Sequence, residues 1–153
     1  GMSDIRVEVL ADDAATRAAG AALAPVLRAG DVVALDGPLG AGKTTFARGL
    51  IAALGFEGEV VSPSFAIVQA YDPPEVRLPL LHVDLYRLND AAELHELGLD
   101  QARRDGVLVI EWPARAGAAA FPGALRVSLV VEGDRRRIVA DLPSDWVERW
   151  PAR

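Results

Sequence analysis

Residues 37–44 have the sequence Gly-Pro-Leu-Gly-Ala-Gly-Lys-Thr, which matches the P-loop pattern of Gly, four residues, Gly, Lys and then Ser or Thr. An apolar run at 32–35 precedes the pattern and indicates a buried strand. The stretch at 45–54 follows it and indicates a helix. Because this strand, loop and helix order is the context the pattern requires, we expect an α/β fold built around the loop.

The residue types of the motif predict what it binds. Gly37, Gly40 and Gly42 let successive N–H groups point inward, and the following helix adds its own free N–H groups. Lys43 is then expected to reach the β- and γ-phosphates of a nucleotide, and the Thr44 hydroxyl to bind Mg²⁺. The full set expected to contact the nucleotide here is Gly37, Pro38, Leu39, Gly40, Ala41, Gly42, Lys43, Thr44 and Thr45. Lys43 is also the only lysine of the chain, and a compact ammonium suits a place between phosphates.

Two predicted strands end in a carboxylate. The strand at 78–87 carries Asp84, and the apolar run at 107–112 carries Glu111. P-loop proteins use a carboxylate at the end of a neighbouring strand to hold Mg²⁺ directly or through water. Asp84, Glu111 or both are therefore candidate metal ligands.

Composition narrows the class of protein. The 153 residues fit a single domain spanning 1–153, with Gly1 interpreted as a scar of tag removal. The net charge of −6 argues against non-specific binding to nucleic acid. The chain has no cysteine, no signal peptide and no apolar run that would span a membrane, so we expect a cytoplasmic protein without disulfides.

Other stretches leave alternatives open. A helix is expected from Asp12 or Asp13 to Gly30, with Pro25 as a kink or weak end. Residues 125–131 and 137–140 predict an antiparallel hairpin. The arginines at 135–137 next to its turn form either a solvated turn or a contact with nucleotide or nucleic acid.

Three further features carry expectations of their own. Ser62-Pro63-Ser64 is either an ordinary loop or a segment that senses the γ-phosphate. The two tryptophans at 146 and 150 are expected to dock on the core or on a partner. His82 is interpreted as strand packing and His95 as a surface residue, because neither has a metal-ligand partner at helical spacing.

Four stretches together resemble the TsaE (YjeE) family. They are 37–45, the Ser-Pro-Ser-Phe at 62–65, the His-Val-Asp-Leu-Tyr-Arg-Leu at 82–88 and the Ile-Glu-Trp-Pro at 110–113. The resemblance implies a three-layer P-loop NTPase-like fold with a mixed, mainly parallel central sheet. It also implies weak Mg²⁺-dependent ATPase activity that supports threonylcarbamoyladenosine modification of tRNA. The implied partners are the proteins TsaD and TsaB, with tRNA met only indirectly through their complex.

The resemblance further implies roles for single residues. Thr44 and Glu111 would hold Mg²⁺, and Asp84 would be a further acid needed for hydrolysis, so that Lys43, Asp84 and Glu111 form the catalytic set. The remaining implied nucleotide contacts are Thr16 near the adenine, Ser64 in a switch-like loop, and a hairpin arginine. We assign that arginine to Arg135, although the register leaves Arg136 and Arg137 open.

Two other functions compete with this interpretation. A small-molecule kinase would need an Arg-bearing lid over the phosphates, for which Arg103 and Arg104 are the candidates. A guanine-specific switch would need an Asn-Lys-x-Asp element. That element is excluded because the one lysine lies in the P-loop.

Overall fold

The computed structural model describes residues 4–63 and 67–151. Within these residues the seven strands are β1 (Asp4–Leu10), β2 (Val32–Asp36), β3 (Val68–Tyr71), β4 (Leu80–Asp84), β5 (Val107–Glu111), β6 (Leu125–Glu132) and β7 (Arg135–Leu142). The helices are α1 (Asp13–Ala21), α2 (Lys43–Ala53), α3 (Ala91–Glu96) and α4 (Leu99–Asp105). Short 3-10 turns lie at Ala24–Val26, Pro113–Ala116 and Ser144–Trp146. Of the expected sensor segment, Ser64 and Phe65 fall outside the described residues.

All seven strands form one sheet, in the order β1-β7-β6-β2-β5-β4-β3. The four central strands β6, β2, β5 and β4 run parallel, and β3, β7 and β1 add antiparallel pairings at the two sides. β6 and β7 form the expected C-terminal hairpin. The predicted α/β fold with a parallel centre is confirmed.

Apolar clusters cover both faces of the sheet. Val33 and Leu35 of β2 pack into the cluster that contains α1 and α2, while Val32 and Ala34 pack into the cluster beside α4. Successive strand residues point to opposite faces, so a strand buried on both sides needs the unbroken apolar run seen in the sequence. The P-loop strand therefore lies in the centre of a three-layer arrangement.

The two helices α1 and α2 pack with their backbones in contact. A Cβ added to Gly20 of α1 would lie 1.9 Å from the carbonyl oxygen of Phe46, and one added to Gly49 of α2 would lie 1.9 Å from that of Arg17. Only a residue without a side chain fits at such crossings. This close approach places α1 directly beside the P-loop helix.

Two expectations about the chain's segments are resolved. The helix predicted to reach Gly30 ends at Ala21, because Pro25 has no N–H to continue it and the chain turns through a 3-10 segment to an extended Leu27. Trp146 is buried in the main cluster and Trp150 packs against it, so the C-terminal segment docks on the core. Within residues 4–63 and 67–151, no helix has the length and apolar character needed to cross a membrane.

Candidate functional site

The loop between β2 and α2 depends on glycine for its conformation. Gly37 has φ 137° and Gly42, the residue before α2, has φ 103°, both in the left-handed region that favours glycine. A Cβ at Gly37 would also lie 2.5 Å from the carbonyl oxygen of Leu129. Since Gly42 provides no side-chain cap, the first N–H groups of α2 stay available for an anion.

Lys43 is almost fully buried at the start of α2. Its ammonium donates to the carbonyl oxygens of Gly37 and Pro38 and lies 4.0 Å from the ring centre of Trp112. Burial lowers the pKa of Lys43, and three nearby carboxylates act in the opposite direction: Glu111, Asp36 and Asp84. An ammonium has three donors, so it can exchange these carbonyl acceptors for phosphate oxygens.

Glu111 is held by two side chains at the end of β5. The Thr44 hydroxyl lies 3.2 and 3.4 Å from its two carboxylate oxygens. The His82 Nε2 lies 2.6 Å from Oε2, and both side chains of this pair are buried. A buried carboxylate costs free energy unless it is paired in this way. The predicted metal pair, Thr44 and Glu111, is therefore in direct contact.

Asp84 lies next to Glu111 across the sheet. The two residues are Cα partners at the ends of the parallel strands β4 and β5. The buried Asp84 carboxylate accepts the N–H of Tyr86 at 2.9 Å. The two acids that the sequence singled out are thus brought together beside the P-loop.

The donor set fits Mg²⁺ bound with a nucleotide. Across the described residues, no three His, Cys, Asp or Glu side chains form a metal cluster on their own. Mg²⁺ prefers oxygen ligands and is commonly held by one or two carboxylates plus phosphate oxygens and waters. One hydroxyl and two carboxylates at the loop match that mode, with the remaining ligands supplied from outside the protein.

The loop borders an open cleft of about 360 Å³. Its lining residues are Asp13, Pro38, Leu39, Gly40, Ala41, Gly42, Lys43, Thr44, Thr45, Ser62, Asp84, Glu111, Trp112 and Arg136. A larger cavity of about 530 Å³ is lined by parts of α3 and α4 together with Phe121, and it contains none of the loop residues. We place the candidate site at the smaller cleft because the residues expected to bind phosphate line it.

Thr16 and the hairpin arginines take distinct places. The buried Thr16 hydroxyl lies 3.3 Å from the Asp12 carbonyl oxygen, so it is the Thr16 methyl that lies near Gly42. Arg136 donates to the carbonyl oxygen of Gly40 at 3.2 Å and lines the cleft. Arg135 instead lies at the end of the hairpin, where its backbone is opposite that of Glu132. The hairpin arginine that reaches the P-loop is therefore Arg136 and not the Arg135 that we expected.

Sequence reasoning missed two contacts in the site. His82 was expected only to pack in its strand, and it is buried there, but its ring also bonds to Glu111. The available signal was its spacing of two residues from Asp84, which places both side chains on one face of β4. Trp112 directly follows Glu111, but its position over Lys43 requires its left-handed backbone, with φ 59°, which the sequence does not indicate.

The kinase interpretation loses one of its two lid candidates, Arg103. The Arg103 guanidinium donates to the Gly30 carbonyl oxygen at 2.8 Å, where β2 and β5 begin. The P-loop lies at the other end of β2. Arg103 is therefore anchored at the end of the parallel strands opposite to the P-loop.

The central parallel strands, the P-loop between β2 and α2 and the carboxylates at neighbouring strand ends define an α/β protein with a P-loop NTPase-like fold. A family described as "Threonylcarbamoyl adenosine biosynthesis protein TsaE" matches residues 10–139. This chain belongs to the TsaE family.

Individual relatives agree with this assignment. A protein of Streptomyces coelicolor named tRNA threonylcarbamoyladenosine biosynthesis protein TsaE is 48% identical over 97 residues, which are 63% of this chain and 66% of that protein. A protein of the same name from Mycobacterium leprae is 39% identical over 139 residues, covering 86% of this chain and 85% of its own. The crystal structure of YdiB from Bacillus subtilis superposes with a TM-score of 0.79 at 29% identity, covering 98% of this chain and 93% of that one.

Proposed function

We propose that this protein binds ATP with Mg²⁺ at the P-loop and hydrolyses it slowly, in support of threonylcarbamoyladenosine modification of tRNA. The observation that carries the proposal is the direct contact between Thr44 and Glu111 beside the buried ammonium of Lys43. These are the groups that a Mg²⁺–polyphosphate needs, and they converge at the start of one helix.

Several residues of the cleft have a defined task in this proposal. Lys43 and the N–H groups of the loop bind the β- and γ-phosphates. Thr44, Glu111 and Asp84 would hold Mg²⁺, which would neutralise the charge that develops during phosphoryl transfer. Arg136 brings a further positive charge to the open side of the cleft. No residue of the cleft is assigned as a general base, which is consistent with slow turnover.

The biological setting is part of the same proposal. The relatives are named as tRNA threonylcarbamoyladenosine biosynthesis proteins. We infer that ATP hydrolysis drives or resets a complex of TsaD and TsaB in the cytoplasm. The net charge of −6 supports contact with tRNA only through that complex.

The proposal is tested first by titrating the protein with a non-hydrolysable ATP analogue in the presence of Mg²⁺. We expect saturable binding to the native chain and none to Lys43→Ala. Arg136→Ala should weaken binding, while Arg135→Ala, its neighbour in the hairpin, serves as the matched control and should not. Near-native affinity in Lys43→Ala would contradict the role of the P-loop.

Hydrolysis and partner binding are tested separately. Glu111→Ala and Asp84→Ala should lower the rate of ATP hydrolysis far more than they lower ATP affinity, because the metal acts mainly on charge formed during transfer. A tagged protein should recover TsaD and TsaB from its native lysate, with the yield depending on the ATP analogue. Unchanged hydrolysis in both variants would refute the metal role of Glu111 and Asp84. Failure to recover TsaD and TsaB, with or without the analogue, would refute the partner assignment.

A further inference from the structure

The strand β1 forms one edge of the sheet and exposes apolar side chains there. It pairs with β7 on one side, and in the part of the chain that the structure describes no strand pairs with its other side. Ile5, Val7 and Val9 are 48%, 59% and 53% exposed. The opposite edge strand, β3, has only four residues, compared with seven in β1. Proteins usually protect a long edge strand with proline, a bulge or charged side chains. β1 has no proline, and its charged residues Arg6 and Glu8 alternate with the exposed apolar ones.

The exposed side chains of β1 share one face of the sheet with two half-buried valines of the neighbouring strands. Val7 lies opposite the half-buried Val139 of β7. Val9 lies opposite Arg137 of β7, which in turn lies opposite the half-buried Val130 of β6. The other face of β6 and β7 packs into the core through Leu129 and its neighbours. The face that carries Ile5, Val7 and Val9 is thus the face of the sheet opposite the core. It borders the edge of β1, where another strand could pair.

The sequence of β1 is complementary to itself in one antiparallel register. If Val7 faces Val7 of a second copy, Ile5 faces the second copy's Val9, and Arg6 faces its Glu8. Both apolar pairs then lie on one face and both opposite-charge pairs on the other, because directly opposite residues share a face. Shifting one strand by two residues places Arg6 opposite Arg6 or Glu8 opposite Glu8. Among these three registers, the one centred on Val7 is therefore the one without like charges opposite each other.

We propose that two copies of this chain associate through β1, in an antiparallel pairing centred on Val7. The two sheets then become one continuous sheet across a two-fold axis. Main-chain hydrogen bonds provide the attraction, and the paired Arg6 and Glu8 side chains select the register. The association does not involve the P-loop and does not depend on the proposed ATPase function.

Single-cysteine variants test the register, because the chain contains no cysteine of its own. Directly opposite residues of an antiparallel pair have Cα atoms about 4.5–5.5 Å apart, within the range of about 4.4–6.8 Å found in disulfides. Under mild oxidation Val7→Cys should form a reducible homodimer. Val131→Cys, which is 44% exposed on β6, is the control and should not. When the Ile5→Cys and Val9→Cys proteins are mixed, the crosslink between the two different variants should form in preference to either homodimer.

Charge exchange tests the contact without any covalent bond. Sedimentation equilibrium over a range of protein concentrations, without nucleotide, should reveal a reversible dimer of the native chain. Arg6→Glu places like charges opposite each other twice and should raise the dimer Kd about tenfold. The double variant with Arg6→Glu and Glu8→Arg should recover the native Kd.

Two outcomes would overturn the proposal. One is a native chain that stays monomeric at every concentration while Val7→Cys crosslinks no faster than Val131→Cys. The other is a native chain that stays monomeric while Arg6→Glu abolishes capture of TsaD and TsaB. That result would show that the edge of β1 binds a different protein. Circular dichroism confirms that each variant is folded, and all the substituted positions are at least partly exposed.

Discussion

Glu111 is the residue on which the geometry of the site converges. Thr44 reaches it from the start of α2 and His82 reaches it from the neighbouring strand β4, so its carboxylate is oriented from two sides. The Nδ1 of His82 has no hydrogen-bond partner among the described atoms, which leaves the contact to Glu111 as the polar role of the ring. Hydrogen bonds to a metal-binding carboxylate fix its orientation and affect metal affinity. His82 is therefore a positioning residue of the proposed metal site.

Substitution of His82 should separate Mg²⁺ binding from nucleotide binding. We expect His82→Phe to lower Mg²⁺ affinity and the hydrolysis rate by about ten- to a hundredfold, because the carboxylate loses its orienting donor. Affinity for the ATP analogue without Mg²⁺ should change much less. His82→Gln retains an N–H donor and should recover part of the loss. Isothermal titration and a steady-state ATPase assay measure these quantities.

The other histidine provides the control for this experiment. His95 is exposed on α3, away from the cleft, so His95→Phe should leave Mg²⁺ affinity and hydrolysis unchanged. Loss of the hydrogen bond in His82→Phe also lowers the free energy of unfolding by about 1–3 kcal/mol, so the assays are run well below its Tm. Native Mg²⁺ affinity in His82→Phe would rule out the positioning role.

At the level of elements, the crossing of α1 and α2 determines what lies beside the P-loop. Gly20 and Gly49 allow the two helix backbones to touch, and this contact brings the Thr16 methyl near Gly42. Glycine is normally unfavourable inside a helix by about 0.5–1 kcal/mol relative to alanine. Its presence in both helices indicates that close packing outweighs helix propensity here.

The direction of the stability change in Gly49→Ala shows whether helix propensity or close helix packing is the larger effect. If helix propensity dominated, Gly49→Ala would stabilise the protein. Because the new Cβ would lie 1.9 Å from a backbone oxygen, we expect the opposite, a loss of about 1–3 kcal/mol or more in the free energy of unfolding. Urea denaturation measures the change, and Ala52→Gly at an exposed position of α2 reports the propensity term alone. A gain in stability for Gly49→Ala would refute the close contact.

At the scale of the whole molecule, a nearly buried ion pair joins the C-terminal segment to the start of β2. The Arg149 guanidinium lies 3.2 Å from one oxygen of Asp31 and binds the other oxygen as well. It also donates to the Val26 carbonyl oxygen at 2.7 Å and lies 3.9 Å from the ring centre of Trp146. One side chain thus connects the C-terminal turn, the 3-10 turn after α1 and the strand that leads to the P-loop.

Breaking this pair should lower global stability much more than breaking an exposed one. Arg149→Met leaves the Asp31 carboxylate without its charged partner, and we expect a loss of about 3 kcal/mol in the free energy of unfolding. Arg137→Met breaks the ion pair between Arg137 and Glu132, and both of these side chains are 42% exposed. This variant should lose less than about 1 kcal/mol in the free energy of unfolding. Thermal and urea unfolding compare the two variants. Equal losses would contradict the role of the C-terminal segment.

Local patterns in the sequence determined where the P-loop lies, which strands flank it and which acids end those strands. They succeeded because a glycine-rich motif, an apolar run and a helix cap each depend on residues that are close together in the chain. The placement of Asp84 and Glu111 followed from them, since parallel neighbouring strands end at the same edge of a sheet. The roles of Ser64 and of ATP, and the single-domain organisation, stay predictions.

The tertiary structure alone decided which distant side chains meet. The contact of His82 with Glu111, the choice of Arg136 over Arg135 and the position of Trp112 over Lys43 depend on strand register and backbone conformation. A shift of one residue in β7 would point a different arginine at the loop, because neighbouring residues of a strand face opposite sides. Such contacts are set by the packing of the whole sheet, which no local stretch of sequence encodes.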